Sequence, residues 1–216
     1  GYYALMELKL IGDSGKLIAI EPSPYNVNLL SKNLRLNNCN SVSVVNGAVS
    51  DKSEKKDFFL AEMGNLNTFH ATGSGRQHLN GEVIEVDTYT VPELISNKKL
   101  DLIRMDVEGH EVEVLNGMLE KVRSGDLNPV IIFETHLTRY NENHNMSETL
   151  KFFFNAGYVA KYIASSWQEG SKIIESKGYV GSDSIPTDGV YRKIFENISN
   201  DDAIDFICNS GGARTV

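Results

Sequence analysis

The chain has 216 residues, 41% of them apolar and 23% charged, with 18 Gly and 5 Pro. These proportions suit one domain, with a small appendage at most, and exclude a disordered chain or a repeat array. The net charge is −8, from 21 basic and 29 acidic residues; the scattered lysines and arginines speak against an extended nucleic-acid surface, and no stretch approaches the roughly 20 apolar residues of a membrane span.

Helical period runs over residues 2–11. The continuous apolar run Leu17–Ile20 reads as a strand, covered on both faces as in parallel sheets. Ser23-Pro24 opens a helix as N-cap and first-turn proline. Its stripe is Val27, Leu30 and Leu34, and Asn37-Asn38 closes it. Val42–Val45 is the next strand. Residues 55–90 then interrupt the alternation. Phe58–Leu60 and Val83–Val86 read as a hairpin or added strands, joined by a Gly/Asn/Ser-rich stretch over 64–81, a length uncommon unless functional.

Alternation resumes with a strand over Leu100–Met105, a helix from His110 to Arg123 ended by Gly125, and a strand over Val130–Phe133. Asn145, with Glu148 three residues on, resembles a capping box for a further helix. Val159–Ala164 and Val190–Phe195 read as a terminal strand pair, and Asp201–Cys208 as a short last helix. The long connection between those strands carries Trp167 and Tyr179. This order predicts an α/β sheet with right-handed crossovers. Two distant cysteines, Cys39 and Cys208, make neither a metal spacing nor a disulfide framework. They point to a reducing compartment, the cytoplasm, where the sequons at Asn145 and Asn197 have no consequence.

Open parallel sheets bind ligands outside the carboxyl ends of their strands. Glu21 and Pro22 follow the first apolar run, and an acid there suits the two hydroxyls of a ribose. Asn46-Gly47-Ala48 follows the second, where glycine permits close approach to a flat ring and alanine leaves room. Asp106-Val107-Glu108-Gly109-His110-Glu111 crowds three carboxylates and an imidazole into one strand-to-helix junction. The helix dipole explains Glu108 and Glu111, and Asp106 less readily. Glu134-Thr135-His136 follows the next strand and offers a base to the same crevice.

In order, Lys16-Leu17-Ile18-Ala19-Ile20-Glu21-Pro22-Ser23-Pro24, Asn46-Gly47-Ala48-Val49-Ser50-Asp51 and Met105-Asp106-Val107-Glu108-Gly109-His110-Glu111, then Val114-Leu115 and Gly117, resemble the FkbM family of S-adenosylmethionine-dependent methyltransferases. The resemblance runs from Gly1 to about His136. It implies a Rossmann-like seven-strand methyltransferase sheet, mostly parallel with an antiparallel C-terminal strand pair. Gly1 looks like the last glycine of that family's cofactor turn, so a longer natural protein is expected, with the first strand missing from this chain. Residues 1–216 are expected to be one such domain, with an insertion at about 55–90 and a C-terminal extension at about 197–216.

The resemblance further implies that Glu21 holds the cofactor ribose, with Pro22 beside it, that Asn46, Gly47 and Ala48 flank the adenine, and that Asp106 lies near the methionine end and the reacting methyl. For a hydroxyl acceptor, the base candidates are His136, Glu134, Glu108 and His110, in that order. Asp106, Glu134 and His136 are possible hard-metal ligands, but their spacing assigns no metal. Asn67, Thr68, His70, Arg76, His78 and Trp167 sit on loops placed to line an acceptor pocket or lid. The acceptor is expected to be a sugar or other small hydroxylated molecule. The competing readings are an NAD-dependent oxidoreductase of Rossmann type and a non-catalytic binding module, and Asp106-Val107-Glu108-Gly109 has no evident task in hydride transfer.

Overall fold

The computed structural model describes residues 1–12, 14–39, 41–71, 77–96, 98–187 and 189–216. Helix α1 (Tyr2–Ile11) precedes strand β1 (Leu17–Glu21), and α2 (Pro24–Leu36) starts as its sequence dictates, with Ser23 Oγ accepting the Asn26 N–H and Pro24 in the first turn. Strand β2 (Val42–Asn46) lies parallel to β1 and sets Glu21 beside Asn46. Leu17, Ala19, Val42 and Val44 pack on Ala4, Leu30 and Leu34. Cover on both faces is not found: Ile18 is 39% exposed. Side chains alternate along a strand, and α1 and α2 pack on the side of Leu17 and Ala19.

Strand β3 (Ala48–Val49) is short. Strand β4 (Lys55–Ala61) pairs antiparallel with β5 (Leu79–Tyr89), whose far end runs parallel to β3. The interruption is therefore a paired hairpin, and Thr68 bridges back to Phe59 within it. A Thr90–Glu93 capping box starts α3 (Val91–Ile95).

Strand β6 (Leu102–Met105) begins two residues later than the expected Leu100 start and pairs parallel with β7 (Val130–Phe133). Between them the expected single helix is two, α4 (Glu111–Asn116) and α5 (Leu119–Arg123). The break falls at Gly117, where an added Cβ would stand 2.5 Å from the Ser50 carbonyl oxygen. Glycine is a poor helix former, and here it admits the backbone of the β3 segment, which an apolar period does not record.

Asn145 caps α6 (Met146–Asn155) by accepting the Glu148 N–H at 3.1 Å. The Glu148 carboxylate pairs with Lys151 instead of closing the capping box. Then come β8 (Ala160–Ser165), α7 (Gln168–Ser176), β9 (Ile185–Thr187), β10 (Val190–Arg192), β11 (Ile194–Ile198), α8 (Asn200–Cys208) and β12 (Ala213–Thr215). The expected Val190–Phe195 strand divides at Lys193: β10 pairs with β9, while β11 pairs antiparallel with β8. The division lies where Ser165 Oγ accepts the Lys193 N–H.

Strand β12 lies antiparallel on the other edge of β8 and also reaches β7, Thr135 N–H donating to the Arg214 carbonyl at 2.8 Å. The C-terminal strands are thereby tied to β6 and β7. The main core gathers Met105, Phe133, Leu115, Phe153, Ile163, Phe195 and Phe206 between this sheet and helices α4 to α8. The architecture is α/β, with parallel pairs and an antiparallel C-terminal group. The described pairings form several small sheets, and none of them joins β1–β2 to β6–β7 in one seven-strand sheet. Among the described residues no helix is long and apolar enough to cross a membrane.

Candidate active site

The C-terminal ends of β6 and β7 converge as their parallel register requires, with Met105 opposite Phe133. The next residues, Asp106 and Glu134, therefore stand side by side, and His136 follows one turn of chain later. The His136 imidazole is the centre of the cluster. Its Nδ1 lies 2.9 Å from Glu111 Oε1, and its Nε2 lies 3.7 Å from Asp106, 3.7 Å from Glu108 and 3.8 Å from Glu134. Glu111 is fully buried at the first position of α4. It also accepts the Gly109 N–H at 3.3 Å and the Tyr140 hydroxyl at 3.4 Å, and that hydroxyl in turn accepts the His136 N–H. Arg214, delivered by β12, pairs with Glu134.

Burial works against charge on His136, but the Glu111 bond and the surrounding carboxylates outweigh it and raise the imidazole above its ordinary value. Burial also lifts Asp106, Glu108 and Glu134 above the usual carboxylate range. Among the described residues four carboxylates gather around the His136 imidazole and the Arg214 guanidinium, and Arg104 and Arg139 also act on Asp106 and Glu108. Asp106, Glu134 and His136 present ligand atoms within 4.8 Å of one another.

His110 stands apart from this cluster. It is 1% exposed, with Nε2 3.0 Å from Ser50 Oγ and Nδ1 3.3 Å from His70 Nε2. Burial drives its pKa down to about 3 and that of His70 to about 4. Of the base candidates, then, three face a common space and His110 faces another.

Glu21 ends β1, where its Oε1 accepts the Ser23 N–H at 2.9 Å and the Asn26 amide at 3.3 Å. Burial raises its pKa despite those bonds. Asn46 donates to the Glu21 and Pro22 carbonyls at 3.0 Å each, clamping the two strand ends together. Gly47 does meet a flat ring, but the ring is the protein's own: an added Cβ would lie 2.7 Å from Tyr89 and 2.8 Å from the Asp87 carbonyl. Ala48 is buried in β3, and Gly1 packs on Leu30 of α2. Glu21, Pro22 and Asn46 thus form one group; Asp106, Glu108, Glu134 and His136 form a second.

The loop candidates separate as well. Asn67 shapes its own turn by accepting the Ala61 N–H, while buried Thr68 donates to the Glu108 carbonyl at 3.0 Å. His70 joins His110, and His78 and Trp167 are exposed, Trp167 by 56%. Arg76 lies outside the described residues. Glu111, Tyr140 and Arg214 were not among the expected site residues. Glu111 had a sufficient explanation in the helix dipole, and only its complete burial separates it from an ordinary first-turn acid.

The chain is thus α/β, with an imidazole set among carboxylates beyond the ends of β6 and β7. Residues 1–160 match the methyltransferase FkbM domain, and the chain belongs to that family of methyltransferases, which generally draw the methyl group from S-adenosylmethionine. No curated protein and no solved structure matches the chain.

Proposed function

We propose that the chain transfers a methyl group from S-adenosylmethionine to a hydroxyl of a sugar or small metabolite, with His136 as the base. The observation that carries this reading is the Glu111–His136 pair, whose Nε2 is turned toward three strand-end carboxylates.

The residues fit the cofactor on two counts. All described bonds to the Glu21 carboxylate use Oε1, which leaves Oε2 to accept a ribose hydroxyl. The Asp106 carboxylate suits a sulfonium, since a cation about 4 Å from one carboxylate gains roughly 4 kcal/mol before desolvation at an effective dielectric of about 20. Pro22, Asn46, Gly47 and Ala48 would shape the nucleoside end, and Gly1 the methionine end. When bound, the cofactor supplies an electrophilic methyl on that sulfonium.

The protein's own part is orientation and proton acceptance. Glu111 holds His136 through Nδ1, so the proton on that nitrogen points at Glu111 and Nε2 is left as the acceptor. Nε2 takes the acceptor hydroxyl's proton as the oxygen is methylated, and Glu111 stabilises the resulting imidazolium. Glu134, fixed by Arg214, and Glu108 stand in hydrogen-bonding reach of the same space and orient the hydroxyl. Positioning of this kind contributes up to roughly 7–11 kcal/mol, and a placed base about 10²–10⁴-fold in rate.

The parallel β1–β2 and β6–β7 pairs support a Rossmann-like sheet in one domain over 1–216, and the two free thiols support a reducing, cytoplasmic setting. Titration calorimetry with S-adenosylhomocysteine and with NAD tests the reading. Binding of the homocysteine compound alone is expected, and binding of NAD alone would replace methyl transfer by hydride transfer.

A further inference from the structure

We propose that His70, His110 and Glu113 hold a divalent transition metal of the zinc type, a site separate from the His136 cluster and independent of methyl transfer. The three side chains come from distant segments. His70 lies on the excursion between β4 and β5, His110 caps α4, and Glu113 sits on its first turn. Their ligand atoms all fall within 4.8 Å of one another.

Two of the three edges carry the argument. His110 Nδ1 lies 3.3 Å from His70 Nε2 and 3.3 Å from Glu113 Oε2. A tetrahedral ion with bonds of about 2.0–2.1 Å sets its ligand atoms roughly 3.3–3.4 Å apart. Two imidazole nitrogens and one carboxylate oxygen suit zinc, cobalt or ferrous iron better than calcium or magnesium, which prefer oxygen throughout.

The surroundings are those of a prepared site. Glu113 Oε2 is sealed from solvent and has no hydrogen-bond partner among the described residues; the His110 contact is within ion-pair range without hydrogen-bond geometry. A buried anionic oxygen left so is costly, and a cation between it and the two nitrogens satisfies it. The other oxygen, Oε1, lies 3.0 Å from His144 Nδ1, while His144 Nε2 contacts the Gly109 carbonyl. On the far side of His110, Nε2 lies 3.0 Å from Ser50 Oγ, so Nδ1 is free to ligate when Nε2 carries the proton. Outer partners of this type fix the orientation of metal-bound imidazoles and carboxylates.

The consequence is a staple. The ion would fasten the His70 segment, forty residues away in sequence, to the start of α4. There the Thr68 bond to Glu108 and the Arg139 bond to the His70 carbonyl already bring it over the strand ends.

The test is cobalt(II) titration of the metal-stripped full chain, followed by visible ligand-field absorption, with no cofactor present. One equivalent is expected to bind and to raise the melting temperature. His70→Gln and Glu113→Gln should each weaken binding by about a hundredfold or more, and His144→Gln by about tenfold, because outer-shell partners alone govern 10–100-fold in affinity. His78→Ala, on the same segment but exposed, should leave cobalt affinity unchanged. A natively folded wild-type chain that takes up no cobalt overturns the proposal. So does retention of wild-type affinity in either His70→Gln or Glu113→Gln. S-adenosylhomocysteine binding is read separately, so failure of the metal site leaves the methyltransferase reading standing, and the converse holds.

Discussion

The strand-to-helix junction at residues 106–113 faces two imidazoles, His110 within it and His136 from beyond β7, whose pKa values move in opposite directions. His136 and His110 are each set against a glutamate of α4, Glu111 and Glu113, two residues apart. Yet His136 is raised in pKa while His110 falls to about 3. Burial opposes the imidazolium in both. The difference lies in what faces each ring. Around His136, Glu111, Glu108, Asp106 and Glu134 converge, whereas among the described residues Glu113 faces His110, with its other oxygen on His144, and Lys56 adds a like charge. Burial lowers both imidazoles, and the number of carboxylates facing each ring decides whether that push is outweighed.

The strongest way to break this contrast is to remove the proton acceptor. His136→Ala should lower turnover by about 10²–10⁴-fold, the span of a positioned base, with S-adenosylhomocysteine affinity nearly intact in calorimetry. Turnover at the wild-type rate would move the role to Glu134 or Glu108.

Removing the partner instead sharpens the contrast. Glu111→Gln keeps shape but withdraws the charge, and a drop of about 10²-fold in turnover is expected as the imidazolium loses its support. The pH dependence gives the sign. His136 accepts a proton only when neutral, so in the wild type the rate should rise with pH through a limb above the ordinary value of 6.5. In Glu111→Gln that limb moves down. Stability runs the other way. A raised folded pKa means that the folded chain binds the extra proton, so the stabilisation is complete below about pH 6.5. It is lost as pH rises through the folded value. A histidine NMR titration beside thermal melts across that window checks both signs.

The Glu21 group stands outside the contrast and tests the other end of the proposed ligand. Glu21→Ala should weaken S-adenosylhomocysteine binding by about 1.5–3 kcal/mol, the range for hydrogen bonds to a charged group, and leave the His136 titration unchanged. Equal affinity would remove Glu21 from the site.

Local signals made much of this legible. Ser23-Pro24, Asn145 and the runs Leu17–Ile20 and Val130–Phe133 state their structure within a few residues, because caps and continuous apolar runs act locally. Methyltransferase family membership and the gathering of Asp106, Glu108, Glu134 and His136 could also be read, since they follow from motif order and strand ends. What stayed hidden depends on distant neighbours. Helix α7 buries Gly170 and Ser171 beside Ile174, so its inner face carries no full apolar stripe. Strand β12 is three residues long and takes its identity from β7 and β8. Glu111 reads as a dipole acid until His136 and Tyr140 are brought to it, and nothing in the spacing of His70 and His110 announces their contact.

Gly117 gives the smallest and most selective test. A methyl there would press on the Ser50 carbonyl at 2.5 Å, and backbone cannot yield as a side-chain tip does. Ser50 also holds His110 through its hydroxyl, so the displacement reaches His110 and leaves the Glu111–His136 pair alone. Gly117→Ala gains helix propensity but overpacks, and a net loss of about 1–3 kcal/mol is expected. Chemical denaturation measures that loss. The His110 resonances should shift while the His136 titration curve is retained; a shift in both would mean that the two imidazoles are coupled through α4 rather than set independently by the charges that face them.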